Sequence, residues 1–377
     1  MQPSAGLYIH VPFCRQKCGY CDFYSITSLE KIEAFCQALL TEIQMVAPRF
    51  AGARFETVYL GGGTPSLLSE DQFSRIWQAL HNHFSIDPEG EFSLEANPGT
   101  LTEEKLHFLR RLGFNRLSLG VQSFNPDELH FLGRIHSVED VLASVEAARR
   151  AGFDNINLDL MTAFPGLTRD AFTRSLSRAV ALRPEHISCY TLIFEPGTLF
   201  YKRMERGELV PLPEEAEAEY YQLAEAFLGE AGYQAYEISN FARQPAFRCR
   251  HNLIYWTYRP YLGLGPSAHS FWNDRRWANH RSLERYCRNL AAGQLPVAFQ
   301  ETLDRETQMF EYLYLHLRLR EGLDRRAFQL RFGEDPYQLY GEKLDRLVDL
   351  GVVNRDDRRV TLTSRGWLVA DEVVVNL

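Results

Sequence analysis

Through the first two-thirds of the chain, short apolar, β-branched or aromatic runs alternate with stretches of helical period. Runs at 7–11, 55–60, 91–96, 115–121, 156–161 and 186–194 have the length and residue types of strands. The stretches 30–46, 70–84, 102–112, 138–151, 169–182 and 213–231 carry apolar residues at amphipathic-helix spacing. Thr100 and Glu103 have capping-box spacing ahead of the third of these. Six strand–helix alternations imply right-handed crossovers and a parallel sheet. Six units fall short of a closed eight-fold barrel. The pattern therefore predicts an α/β fold with an open, partial (β/α)6 barrel over residues 1–240, and a doubly wound sheet is the alternative.

Beyond Tyr236 the character changes. Residues 241–300 are rich in aromatics, Arg, Asn, Gly and Pro with weak periodicity, and read as an irregular connecting region. From Glu301 a third pattern runs through 301–377, with helices at 306–320, 324–332 and 336–350. A hairpin follows at 351–362, turning on Asn354-Arg355-Asp356-Asp357. Three helices and a hairpin make a winged-helix-like α+β unit. Its tip carries Arg355, Arg358 and Arg359, but Asp356 and Asp357 sit among them. With a net charge of −8 for the whole chain, no face is basic enough to read nucleic acid, so packing or partner docking is the expected role.

Composition adds a compartment and a metal. No apolar run approaches the ~18–20 residues of a membrane helix. No Lys or Arg precedes Arg15, so the start has neither a secretory nor a transit pattern. Of seven cysteines, Cys14, Cys18 and Cys21 fall within one short segment. That usage fits a reducing cytoplasm and a metal site better than a disulfide framework.

In parallel α/β folds the site lies beyond the carboxyl ends of the strands. Cys14, Cys18 and Cys21 follow the first strand, and Gly61-Gly62-Gly63-Thr64-Pro65 follows the second. Glu95 and Asn97 end the third, Gln122 follows the fourth, Asp159 lies late in the fifth, and Tyr190 and Thr191 late in the sixth. Polar groups converge on one end. Three thiolates spaced C-x3-C-x2-C suit zinc, with His10 or Cys36 as a fourth ligand, or an iron–sulfur cluster with one iron left open.

The cysteine loop and the GGGTP run together resemble the radical S-adenosylmethionine (SAM) superfamily. That resemblance implies a [4Fe–4S] cluster on Cys14, Cys18 and Cys21 whose open iron chelates the methionine part of S-adenosylmethionine. Its reduction cleaves the sulfonium to a deoxyadenosyl radical. Tyr8-Ile9-His10-Val11-Pro12-Phe13-Cys14, Ser93–Pro98 and Leu119–Phe124 are similar to the oxygen-independent coproporphyrinogen oxidase branch, in which two nucleotides can lie in the barrel. Carried over, Tyr8, Gly62 and Glu95 would touch the cluster-bound nucleotide. Tyr20, Gly63, Thr64, Gln122, Arg134 and Asp159 would line the second pocket.

Two departures separate the chain from the oxidase pattern. Phe23 stands where the oxidase carries a fourth cysteine, two positions after the third. The run His251-Asn252-Leu253-Ile254-Tyr255-Trp256 forms an HNxxYW motif. Both resemble the HemW heme chaperones, which bind heme and hand it to acceptor proteins without oxidase activity. On its residues alone the His251-Asn252 pair in an aromatic loop reads as a hydrogen-bonded structural corner; the resemblance makes His251 the candidate axial ligand to heme, with Cys249 and His269 as rivals and Arg243, Arg248 and Arg250 for the propionates. Expected partners are heme and a heme-accepting protein, with peripheral association where that acceptor is membrane-bound. The alternative is a radical enzyme acting on a tetrapyrrole by oxidative decarboxylation.

Overall fold

The computed structural model describes residues 4–375 and 377. Six parallel strands pair in chain order: β1 (Ala5–Val11), β2 (Arg54–Gly62), β3 (Ser85–Ala96), β4 (Arg116–Gln122), β5 (Ile156–Thr162) and β6 (His186–Thr191). The crossovers are α1 (Ile32–Val46), α2 (Glu70–His83), α3 (Glu103–Leu112), the pair α4 (Pro126–Phe131) and α5 (Val138–Arg150), and α6 (Arg169–Ala181). After β6 come α7 (Leu199–Glu205) and α8 (Glu214–Glu230). A doubly wound sheet would reverse strand order at a switch point. Here the order runs 1 to 6 without reversal, which is the partial barrel.

Strand parity explains the two sides of this sheet. Leu7, Ile9, Val58, Leu60, Leu94, Leu117, Leu119, Leu158, Leu160 and Ile187 are buried in the main core cluster, against the helices. The alternate positions are polar: Tyr8, Thr57, Tyr59, Glu91, Ser93, Glu95, Arg116, Ser118, Asn157, Asp159, His186 and Ser188. They come into register across neighbouring strands and fill the lumen.

Helix α3 is capped differently from the pattern. Thr102, not Thr100, accepts from the Lys105 N–H at 3.3 Å. Thr100 instead donates to the Asn97 carbonyl at 2.6 Å, so the capping box expected there does not form.

The segment expected to be irregular is largely ordered. Just before it stands β7 (Gln234–Ala235), and across it run β8 (Asn240–Ala242), α9 (Arg250–Trp256), β9 (Tyr261–Leu264), β10 (His269–Trp272), β11 (Arg275–Asn279), α10 (Leu283–Ala291) and β12 (Val297–Thr302). β9 joins β1 in parallel, and β10–β12 continue outward as an antiparallel meander. β8 and β7 extend the other edge beyond β6. These strands run only two to six residues, too short for periodicity to register. The β10–β11 hairpin turns on Asn273 and Asp274, at φ 49° and 59°, the primed turn that such residues favour.

The rest is α11 (Arg305–Leu317), β13 (Leu323–Asp324), α12 (Arg325–Phe332), α13 (Pro336–Leu339), α14 (Gly341–Asp349), β14 (Val353–Arg355), β15 (Arg359–Leu362), α15 (Ser364–Leu368) and α16 (Ala370–Val375). Its three strands order β13-β15-β14, giving the winged-helix-like unit with its own core around Leu313, Phe328, Leu344 and Trp367. The single helix expected over 336–350 breaks at Tyr340. Arg355 pairs with Asp345 at 2.5 Å, and Arg358 and Arg359 reach Asp324 at 3.5 and 3.8 Å. The tip arginines are therefore neutralised. No helix among the described residues is long and apolar enough to cross a membrane.

Candidate functional site

The site is at the carboxyl end of the barrel, where the polar lumen opens. A cavity of about 490 Å³ is lined there by Cys14, Cys18, Cys21, Tyr20, Phe23, Gly62, Gly63, Glu95, Gln122, Arg134 and Asp159, among others. A second cavity of about 270 Å³ adjoins it and shares Cys18, Asn97 and Arg134; Thr64 lines this one. Thus the structure brings together every residue expected to hold cluster or nucleotide except Tyr8, which lies one layer deeper.

The cysteine loop is held by few but specific contacts. Cys21 N–H donates to the Cys18 carbonyl at 3.2 Å, and Cys14 N–H to that of Ile26 at 3.0 Å. The Thr64 hydroxyl points at Cys14 Sγ, 3.5 Å away, and Arg134 Nη1 lies 3.4 Å from Cys18 Sγ. Burial pushes the Cys21 thiol up to about 11 and raises that of Cys14, so loading a metal must displace protons. Among the described residues, no three His, Cys, Asp or Glu side chains close around a single ion. A cubane cluster is held at three separate corners, and three thiols along one cavity wall, beside a guanidinium, fit that demand.

The glycine run earns its composition. Gly62 has φ +107°, and its N–H donates to Glu95 Oε2 at 3.0 Å. A Cβ on Gly63 would stand 2.6–2.9 Å from backbone atoms of Phe13, one residue before Cys14. Gly63→Ala must therefore shift the cysteine loop. It is expected to cost about 1–3 kcal/mol in a denaturation midpoint and to lower iron retention. An unchanged midpoint and full iron would show that the contact yields freely.

Glu95 is the chemically distinctive carboxylate. Burial drives it up to about 7, against hydrogen bonds from the Tyr59 hydroxyl (2.8 Å) and Gly62 N–H. Asp159 is also raised by burial, with Ser118 and Asn157 donating to it at 3.0 and 2.8 Å. Arg134 donates to the carbonyl of Gly120 at 2.7 Å and to Asn97. Gln122, at φ +65°, follows the irregularity in the β4–β5 pairing. Tyr59 escaped the sequence reading, although strand parity with Gly61 could have flagged it.

The HNxxYW motif lies at the opposite end. It forms α9, whose first N–H groups, of Arg250 and His251, donate to Glu91 at 2.9 and 3.1 Å. Glu91 begins the inner part of β3, so α9 plugs the amino-terminal mouth of the barrel. His251 is 1% exposed. Its Nδ1 is 2.7 Å from the Thr57 hydroxyl and its Nε2 2.8 Å from that of Tyr255. Its ring stacks on Tyr59 at 5.0 Å and on Tyr8 at 6.3 Å. Burial holds it neutral, lowered to about 3. In this packing neither nitrogen is free for iron, contrary to the expectation of an axial ligand. Cys249 is fully buried, its sulfur 3.6 Å from Glu91. His269 is exposed at the start of β10. Arg248 pairs with Glu321 and Arg250 with Glu56, while Arg243 lies over the Tyr233 ring. None of these arginines lines the cavity. One aromatic layer joins the two ends: His251 stacks on Tyr59, and Tyr59 holds Glu95.

Residues 8–179 match the family model of the radical SAM superfamily, and residues 303–369 that of the HemN C-terminal domain. The heme chaperone HemW of Bacillus subtilis (strain 168) is 37% identical over 369 residues, 97% of each chain. That of Mycobacterium tuberculosis (strain ATCC 25618 / H37Rv) is 37% identical over 376 residues, 99% of this chain and 94% of its own. The solved structure of coproporphyrinogen III oxidase (HemN) from Escherichia coli, described as a radical SAM enzyme, is similar with a TM-score of 0.88 and 27% identity. The match covers 100% of this chain and 90% of that one.

Proposed function

The chain belongs to the heme chaperone HemW family of radical SAM proteins, and we propose that it binds heme in the cytoplasm and passes it to an acceptor protein. The observation that carries the reading over an oxidase is Phe23. This ring is 65% exposed on the wall of the main cavity, where the oxidase pattern has a cysteine. A phenyl group neither ligates iron nor exchanges electrons.

We infer that Cys14, Cys18 and Cys21 hold a [4Fe–4S] cluster and that S-adenosylmethionine caps its open iron. When bound, that pair supplies one-electron chemistry at the nucleotide's sulfonium. The chain's own residues bind and orient. Glu95, fixed by Tyr59 and Gly62, receives the amino group. Arg134 offers a guanidinium to a carboxylate, and Asp159 accepts from ribose hydroxyls. Tyr20, Gly63, Thr64 and Gln122 shape space for a second nucleotide. The winged-helix-like unit, with the arginines of its hairpin tip paired to carboxylates, is read as a docking surface for the acceptor, at a membrane where the acceptor resides there.

Glu95 gives this reading a pH signature. Its folded-state value lies above the ordinary carboxylate value, so it is neutral below about 7 and charged above it. Affinity for S-adenosylmethionine should rise as pH passes upward through about 7, and Glu95→Gln should flatten the profile. The same shift makes the unliganded fold lose stability as pH rises from the ordinary carboxylate range through 7. A wild-type affinity profile as flat as the variant's would remove Glu95 from the nucleotide's contacts.

The functional test is anaerobic transfer of heme from the cluster-loaded protein to apomyoglobin, with coproporphyrinogen III supplied in parallel. Transfer without decarboxylated product is expected. Porphyrin product formed in step with deoxyadenosine would overturn the carrier reading in favour of a radical enzyme.

A further inference from the structure

A groove separate from the barrel lumen opens between the end of α1 and the outer strands β10–β12. Its volume is about 200 Å³, and its walls include Phe50, Trp272, Trp277, Arg49, Arg275 and Gln300. Trp272 meets Phe50 edge-on at 4.9 Å, and Trp277 lies across the same ring at 6.5 Å and 30°. Register puts Trp277 opposite Gln300 and Arg275 opposite Trp272, so these side chains share one face of the sheet.

Among the described residues, Arg49 and Arg275 are exposed without a carboxylate partner, and Arg275 reaches only Gln300, at 3.4 Å. Their neighbour Arg276, on the other face, is paired with both Glu301 and Glu311. Glu42 at the back of the groove is consumed: it accepts from Tyr286 (2.6 Å), Asn279 (2.6 Å) and the Gly265 N–H (2.8 Å). What remains open is an aromatic cleft, its two indoles inclined to one another, with two guanidinium groups that have no carboxylate partner, chemistry that can recognise the edge of a ring bearing carboxylates.

We propose that this groove seats the propionate-bearing edge of a porphyrin, its ring stacked on Trp277 with Trp272 at its edge, and its carboxylates on Arg49 and Arg275. The proposal rests on the carrier reading above. The volume takes an edge and leaves the rest of the macrocycle outside. Among the described residues no His, Cys, Met or Tyr lines the groove, so the iron contributes nothing to binding. Both axial positions stay open to an acceptor's own ligands, as suits a cargo that must leave.

The test is quenching of tryptophan fluorescence by hemin and by metal-free protoporphyrin IX, titrated separately into the full-length protein. Both should saturate at one site with similar affinity. Arg49→Gln/Arg275→Gln, which removes only exposed charges, should weaken both by about tenfold or more, and Trp277→Phe less. Hemin binding without protoporphyrin binding would overturn the groove and leave the carrier reading standing with an axial ligand elsewhere. Equal affinity in wild type and the double arginine variant would do the same. If neither molecule binds the wild type, groove and carrier reading fall together.

Discussion

Replacing Cys14, Cys18 and Cys21 together by alanine should abolish bound iron and the visible sulfur-to-iron absorption of the reconstituted protein, while the fold survives. The three thiols lie on one loop at the cavity wall, and metal ligation is all-or-none in the donors that a cluster needs. Leu7, Ile9, Val11 and Phe13 beneath them are fully buried and independent of the loop's sulfurs. Nucleotide affinity should fall with the iron, because the open coordination position is lost. Iron content and far-ultraviolet circular dichroism measured on one sample decide the matter. Stoichiometric iron retained by the triple variant would place the cluster elsewhere.

His251→Ala should cost about 3–5 kcal/mol of stability, the largest effect expected of any single substitution named here. It removes a fully packed ring and leaves the Thr57 and Tyr255 hydroxyls facing a cavity. Because Tyr59 stacks on this ring and holds Glu95, S-adenosylmethionine affinity should drop as well. Thr57→Val breaks the same anchor without touching the imidazole. If His251 is a plug, both variants lower the midpoint and both leave the position of the heme Soret band unchanged. If it ligates iron, His251→Ala alone shifts that band. A shift confined to His251→Ala would refute the plug.

Much of this was legible in the sequence because the barrel is built from repeated local rules. Apolar runs broken by helical periods mark all six parallel strands, and the end-of-strand rule gathers Cys14, Gly62, Glu95, Gln122 and Asp159 at one mouth. Two things were hidden. The outer meander is made of short strands whose pairing partners lie far along the chain, as β9 with β1, and no local period encodes that. The place of His251 was only half legible: on its residues alone the His-Asn pair reads as a structural corner and by resemblance as a heme ligand, and the Glu91 that caps its helix stands 160 positions earlier. Lumen polarity could have warned of it, since Thr57, Tyr59, Glu91 and Arg116 already demanded polar partners inside the barrel.

That this chain carries heme can be measured without intermediates. An anaerobic hemin titration of the cluster-reconstituted protein, read at the Soret band, tests it most directly. Saturation near one heme per chain, released on addition of an apo-acceptor, is the predicted result. A linear, non-saturating rise in absorbance would contradict it, and the fold's cofactor chemistry would then have to serve a different tetrapyrrole.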